Sequence, residues 1–281
     1  MNNIDDPSEF VPAPDRRANK PIGIHEASTN KTAFFQKIIK PKIGSNIITL
    51  ALPNEITLAI SVATKALRQA QKIKVDLERL SEFTESIYDR NVGLAYDYLE
   101  NIQVATIFSY KAVESFCNAV IPDTYIYKKS TSKSTEHYSK EQIERWISTS
   151  EKVASILPSI LKCPPPQSAS FWSDFKSLER LRNEIMHCKS SNTDAILEEL
   201  FAEYVYRYIQ SAMILLEHFI SIDPSNPISI RFWDVYGADY ERRKGGRYIG
   251  QNRGELIKTL SPTRWKTNYS LLSFLPDLIY D

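Results

Sequence analysis

Cysteine is scarce in this sequence, and no two cysteines lie at a metal-binding spacing. The 281 residues include three cysteines, Cys117, Cys163 and Cys188, an odd number at wide intervals. Without a CxxC pair, the sequence offers neither a disulfide framework nor a structural zinc site. No other spacing resembles a metal site, so we expect no metal and no cofactor. This cysteine usage predicts a reducing compartment.

Long apolar runs are missing as well. No stretch reaches the roughly 18 apolar residues that a membrane-spanning helix needs, so we expect no membrane partner. Residues 1–7 are acidic and lack the apolar core of a secretory signal. Together with the cysteine usage, these features predict a cytoplasmic protein.

Charge of one sign is not in excess. The 35 lysines and arginines and the 34 acidic residues give a net charge of +1. This balance excludes a global field that would attract nucleic acid or a membrane, so any anion site must be a local patch. With 42% hydrophobic and 25% charged residues, the composition is that of a globular protein.

Hydrophobic periodicity divides the chain into three parts. Residues 1–52 are a proline-rich N-terminal arm with a β-prone segment at residues 46–52. Residues 53–222 repeat their apolar positions at helical spacing and predict an all-α bundle of about five helices. Within this bundle, residues 124–138 are polar and are expected to form an exposed loop between two helices. Residues 223–281 are a basic and aromatic C-terminal extension.

Residues 171–187 form the helix around which we expect the bundle to be organised. Its apolar positions recur at intervals of three, four and one residues, which is typical of a buried helical face: Phe171, Phe175, Leu178, Leu181, Ile185 and Met186. Its last turn carries Arg182, Asn183 and His187. We expect one core to contain Phe108, Phe116, Leu178, Ile185 and Tyr204.

The hexapeptide Arg182-Asn-Glu-Ile-Met-His187 resembles the R-x(4–6)-H motif of HEPN domains. In that family the arginine is often followed by a polar residue, and Asn183 fits this pattern. The motif lies near the end of a late bundle helix, as it does here, and the resemblance covers roughly residues 94–219. It implies a HEPN-like helical bundle.

The resemblance also implies an activity. Many HEPN domains are metal-independent endoribonucleases that act as homodimers, with two motifs facing one cleft. The chain would then be a toxin or an antiviral-defence effector that cleaves RNA by 2′-hydroxyl attack. Its catalytic residues would be Arg182, Asn183 and His187, and a cognate regulatory or antitoxin protein would be a further partner.

These residue types suit RNA cleavage. Histidine has a pKa near neutrality, so an imidazole can take the proton of a ribose hydroxyl or protonate a leaving oxygen. Arginine offers a permanent positive fork to a phosphate as negative charge builds. Asn183 lies four residues before His187 and therefore on the same helix face, where it can orient the imidazole or contact RNA.

The identity of the motif arginine stays open at this point. On a regular helix, Arg182 and His187 project roughly 140° apart. Arg180 shares the face of His187 and also fits the R-x(6)-H spacing, although it has another role available as an i,i+4 partner of Glu184. We prefer Arg182 because Asn183 follows it, and keep Arg180 as a second, substrate-binding candidate. His187 itself has an alternative role as a helix C-cap.

The C-terminal extension contains a second candidate site for RNA. Residues 240–253 interleave basic residues, glycines and aromatics, and the candidate substrate-binding residues there are Arg242, Arg243, Lys244 and Arg247. The segment is not a P-loop, since no Gly-Lys-Ser/Thr follows the glycines. A flexible turn with solvated charges is the alternative interpretation. For the whole chain, the alternative function is a non-catalytic HEPN-like module that binds a partner protein or nucleic acid.

Overall fold

The computed structural model of the chain describes residues 15, 17–19, 22–26, 31–35, 37–80, 92–130, 134–187 and 193–222. Most of these residues are helical, as the periodicity predicts. The prediction of an all-α chain is nevertheless incomplete, because the described residues also include small two-stranded antiparallel sheets. No helix in the described ranges combines the length and the apolar character needed to cross a bilayer.

Two long helices form the base of the bundle. Helix α1 is Glu55–Leu80 and helix α2 is Val92–Val120, and they pack against each other over much of their length. The residue type and position of Asn54 predict a helix cap, and the structure confirms it: its Oδ1 accepts hydrogen bonds from the N–H groups of Ile56 and Thr57 at 3.1 Å each. The helical spacing of the sequence predicts that this helix continues to about residue 88, but residues 81–91 lie outside the described residues.

The apolar spacing of residues 139–161 predicts one helix, but the structure divides this segment into several short pieces. Helix α3 is Lys140–Trp146, helix α4 is Thr149–Glu151, a π-helical turn follows at Lys152–Ile156, and helix α5 is Leu157–Leu161. The spacing of Ser139 and Gln142 in the sequence predicts a capping box, and the structure contains it, with each side chain bonded to the backbone N–H of the other residue. Pro158 lies in the first turn of α5, where its missing N–H is tolerated.

The last three helices carry the candidate site. Helix α6 is Trp172–Met186, helix α7 is Thr193–Phe201 and helix α8 is Tyr204–Ile222. The sequence predicts one helix where α7 and α8 lie, and that prediction is wrong. The Tyr98 hydroxyl donates a hydrogen bond of 2.9 Å to the Leu200 carbonyl oxygen, and its ring stacks on Phe201 at 4.9 Å. This contact from α2 satisfies a carbonyl that the interrupted helix leaves open.

The core lies where α2, α6 and α8 meet. Phe116 and Leu178 are buried in it, as expected, whereas Phe108 and Ile185 are only partly buried. Tyr204 is 40% exposed, so its predicted place in the core is wrong. The large apolar side chains buried in these three helices include Ile102, Phe116, Phe175, Leu178, Leu181, Leu215, Leu216 and Phe219.

The N-terminal arm forms β-hairpins. Strands β1 (Ile22–Glu26) and β2 (Lys31–Phe35) pair with each other. Strands β3 (Ile38–Ile39), β4 (Lys42–Ile43), β5 (Asn46–Ile47) and β6 (Leu50–Ala51) build a ribbon in which β3 pairs with β6 and β4 with β5. Gly44 turns its tip with a φ of 59°, a conformation that favours glycine. The β-prone segment predicted at residues 46–52 overlaps β5 and β6.

The predicted loop at residues 124–138 is mostly a hairpin. Strand β7 (Tyr127–Ser130) pairs with strand β8 (Thr135–Tyr138). Glu151 ties the hairpin to α4, because it accepts hydrogen bonds from the Tyr127 hydroxyl at 3.0 Å and from the Lys129 ammonium at 2.7 Å. The sequence indicates that this segment is polar, but it does not reveal that Glu151 is its partner.

We expect Tyr98→Phe to destabilise the chain by about 1 kcal/mol, because the buried Leu200 carbonyl then loses its donor. Tyr96→Phe is the matched control, since Tyr96 lies on the same helix and is 64% exposed. Urea unfolding monitored by circular dichroism measures both. Equal stability of the two variants would contradict this role of the hydroxyl.

Candidate functional site

One polar face of α6 lines an open cleft. The cleft has a volume of about 530 Å³ and is bounded by Lys176, Glu179, Arg180, Asn183, Glu184, His187 and Ile196. The residues from α6 recur at intervals of three and four, which places them on one side of the helix. The cleft therefore contains three of the residues that the sequence singles out: Arg180, Asn183 and His187.

His187 ends α6 and is exposed. It is the C-cap residue, with φ −127° and ψ 40°, and its backbone N–H donates to the Asn183 carbonyl oxygen at 2.9 Å. The helix C-cap is the structural role that the sequence suggests for His187 as an alternative to catalysis. The backbone makes that contact, and the imidazole lines the cleft beside the exposed side chain of Asn183.

Arg182 lies on a different face of α6. Its guanidinium carbon is 5.1 Å from the centre of the Tyr110 ring, a cation–π contact, and its Nη1 donates to Asn183 Oδ1 at 2.9 Å. Its Nε is buried and has no acceptor among the described residues. Its hydrogen bond reaches the side chain of Asn183, which lines the cleft, but Arg182 itself is not among the residues that line the cleft with His187. The angular separation expected from helix geometry explains this.

Arg180 shares the cleft with His187. Its Nη1 donates to Glu184 Oε2 at 2.6 Å, the i,i+4 pair that the sequence suggests. Its Nη2 donates to Glu199 of α7, a contact that the sequence does not reveal. The hydrogen bond that Arg180 donates to Glu199, and then the charges of Glu199 and Glu184, raise the pKa of Arg180. The guanidinium is thus held by two carboxylates.

The charges around the cleft are balanced. Lys176 and Arg180 are opposed by Glu179 and Glu184 in the lining, and by Glu199 behind Arg180. An anion entering the cleft therefore meets no excess of positive charge among the described residues. Two of the five N–H groups of the Arg180 guanidinium are engaged by carboxylates, and a phosphate group competes with Glu184 and Glu199 for them.

Glu179 is a buried residue of the site that sequence reasoning missed. It is 8% exposed and accepts hydrogen bonds from the Tyr110 hydroxyl at 2.9 Å, from the Ser150 N–H at 3.3 Å, from the Ser150 hydroxyl and from Lys176. Burial alone raises the pKa of Glu179, but these donors outweigh it and hold the pKa below its usual value. Only the i,i+3 spacing to Lys176 is visible in the sequence.

The remaining candidate residues of the sequence analysis belong to the C-terminal extension. The basic residues of the C-terminal extension, Arg242, Arg243, Lys244 and Arg247, fall outside the described residues, and their proposed contact with RNA stays a prediction. His218 packs against Phe171 with ring centres 5.8 Å apart, and burial lowers its pKa. Within the described ranges, no three histidine, cysteine or acidic side chains lie close enough together to hold a metal ion.

We expect Glu179→Gln to destabilise the chain by about 2 kcal/mol at pH 7, because hydrogen bonds to a charged acceptor are lost. The folded-state pKa is lowered, so the stabilisation is present above the ordinary glutamate pKa and is lost as the pH falls through the folded value. The difference in the free energy of unfolding between variant and wild type should therefore become smaller as the pH is lowered. Urea unfolding at a series of pH values measures it, with the exposed Glu100→Gln as control. A gap that does not depend on pH would contradict a role for the carboxylate charge.

Comparison with protein-family models, with curated proteins and with solved structures finds no match for this chain. No relative therefore supplies a substrate, a partner or a set of catalytic residues. A proposal for its function has to start from the chemistry of the α6 cleft and from the resemblance of residues 182–187 to the HEPN motif.

Proposed function

We propose that this chain is a HEPN-type, metal-independent endoribonuclease, acting as a toxin or an antiviral-defence effector. The observation that supports this most is the exposed imidazole of His187 in an open cleft beside Asn183 and Arg180. The motif ends a late helix of a mostly helical unit, which is where HEPN domains carry it. The cleft offers a proton-transfer group, an amide and a cation along one helix face.

The proposed reaction needs no group from outside the protein. The His187 imidazole takes the proton of a ribose 2′-hydroxyl, and the oxygen attacks the adjacent phosphorus. The bond to the 5′ oxygen breaks and this oxygen takes the proton from the His187 imidazolium, which leaves a 2′,3′-cyclic phosphate, a 5′-hydroxyl and a neutral imidazole. DNA lacks the attacking hydroxyl and is not cut by this route. Asn183 orients the imidazole or contacts the RNA backbone.

The two arginines take different parts in this proposal. Arg180 lies in the cleft and binds a phosphate of the substrate, while Arg182 stabilises the charge that builds on the reacting phosphate. Because Arg182 projects away from His187 in one chain, the reacting centre is completed by a second copy. We propose a homodimer in which the C-terminal ends of two α6 helices face each other. The exposed Met186, next to His187, offers apolar surface for this contact.

One observation favours a second candidate function. Arg180 is bonded to Glu184 and Glu199, and Arg182 lies over the Tyr110 ring. Both arginines are therefore already engaged by other groups of the protein. A non-catalytic HEPN-like module that binds a partner protein or nucleic acid fits such an arrangement. The two functions differ in whether RNA is cut, which the following variants test.

His187→Ala should abolish RNA cleavage and leave the melting temperature nearly unchanged, because an exposed helix-end side chain contributes little packing. His137→Ala is the matched control: this histidine is exposed on β8, outside the cleft, and its loss should not affect cleavage. Purified protein is incubated with RNA in excess EDTA, and the product ends are identified by mass spectrometry.

Chelation should leave cleavage intact, and the products should carry a 2′,3′-cyclic phosphate. Full activity of His187→Ala, or loss of activity in EDTA, would reject the mechanism. If the wild-type protein binds RNA and never cuts it, the binding module is the correct function.

Arg182→Ala should lower cleavage about 100-fold, because a fixed cation no longer offsets the developing charge. The decisive experiment mixes this variant with His187→Ala. If each reacting centre combines His187 of one copy with Arg182 of the other, subunit exchange should restore about a quarter of the wild-type activity.

Arg180→Gln is the comparison variant, which should raise KM more than it lowers kcat. No recovery on mixing would show that both groups act from one chain. Normal cleavage by Arg182→Ala, together with loss in Arg180→Gln, would make Arg180 the motif arginine.

A further inference from the structure

Helix α7 is acidic and covers one side of the cleft. Its nine residues, Thr193–Phe201, include Asp194, Glu198 and Glu199 and contain no lysine or arginine. Ile196 lines the cleft, and the Glu199 carboxylate accepts a hydrogen bond from Arg180. The Glu199 side chain is only 14% exposed in this position. A negative helix thus lies against the cation that we assign to substrate phosphate.

Helix α7 is attached to the bundle by few contacts. Ile196 and Leu200 are its buried side chains, and the Tyr98 hydroxyl bonds the carbonyl at its C-terminal end. A second cavity of about 200 Å³ lies between α7 and its neighbours α2 and α6; its lining residues are Gln103, Ile185, Thr193, Ile196, Leu197 and Leu200. A short helix with little apolar burial and a void beside it separates from the bundle at a lower free energy than the core helices do.

The two carboxylates on Arg180 are not equivalent. Glu184 belongs to α6, four residues after Arg180, and moves with it whatever α7 does. Glu199 comes from another helix, so its contact exists only while α7 stays in place. Carboxylate and phosphate oxygens bind the guanidinium fork in the same way, and therefore they compete for the same N–H groups.

We propose that α7 is an inhibitory segment in which Glu199 occupies the position on Arg180 that a phosphate group of RNA takes. RNA binds when α7 moves aside and exchanges one anion for another on the same guanidinium. This inference rests on the proposed function for the identity of the substrate. It concerns anion binding, however, and not bond cleavage, so the two can be tested apart.

The test compares two neighbouring glutamates. Glu199→Gln removes the charge that contacts Arg180, whereas Glu198→Gln removes an equal charge from an exposed side chain of the same helix. The probe is a fluorescent single-stranded DNA oligonucleotide, which carries the phosphates but cannot be cut by 2′-hydroxyl attack. Affinity is measured by fluorescence anisotropy at low salt, with melting temperatures to verify folding.

Glu199→Gln should tighten binding of the oligonucleotide about two- to fivefold, the range expected for a partly exposed ion pair. Glu198→Gln should change the affinity by less. Amide hydrogen exchange in residues 193–201 should be faster in Glu199→Gln, because α7 has lost its link to α6. In an Arg180→Gln background, Glu199→Gln should have no further effect on affinity, since the two residues form one coupled pair.

Three results would overturn the inference. They are equal effects of the two glutamate variants, weaker binding by Glu199→Gln, and no oligonucleotide binding by any variant. Weaker binding would show that Glu199 positions Arg180 for the substrate and does not block it. Tighter binding by Glu199→Gln without RNA cleavage by the wild-type protein would support the inference and contradict only the proposed ribonuclease activity.

Discussion

The buried carboxylate of Glu179 constrains the position of three helices at once. It accepts hydrogen bonds from Tyr110 on α2, from Ser150 on α4 and from Lys176 on its own helix α6. A buried carboxylate is tolerated only when its oxygens accept hydrogen bonds. If one of the three helices shifted alone, Glu179 would lose a donor and its desolvation would no longer be compensated. Because Glu179 also lines the cleft, the same hydrogen bonds fix the position of one of its lining residues.

Features encoded by neighbouring residues were predictable from the sequence. The boundaries of α6, the Asn54 cap and the Ser139 capping box all depend on residues within one helical turn. The hairpin β7–β8 and the interruption between α7 and α8 were missed. Each depends on a partner distant in sequence, Glu151 for the hairpin and Tyr98 for the interruption, and local periodicity contains no information on such partners.

The candidate site shows the same division. Helix geometry alone predicted that Arg180 and His187 share a face and that Arg182 points elsewhere, and the structure places them in this way. Helix geometry could not predict that Glu199 binds Arg180 or that Tyr110 lies under Arg182, since both partners come from other helices. A motif on one helix therefore indicates which groups are neighbours, while their availability depends on the tertiary contacts.

The ribbon of β3–β6 has a consequence for how the protein behaves at high concentration. Ile38, Ile43 and Ile47 are exposed on it, and within the described residues its strands pair only with each other. Such an edge is a template for pairing with a second chain. Lys40 and Lys42 place like charges where β3 connects to β4, and Pro41 between them lacks an N–H donor. Two ribbons therefore repel at low ionic strength, and screening of these charges by salt removes a barrier to aggregation.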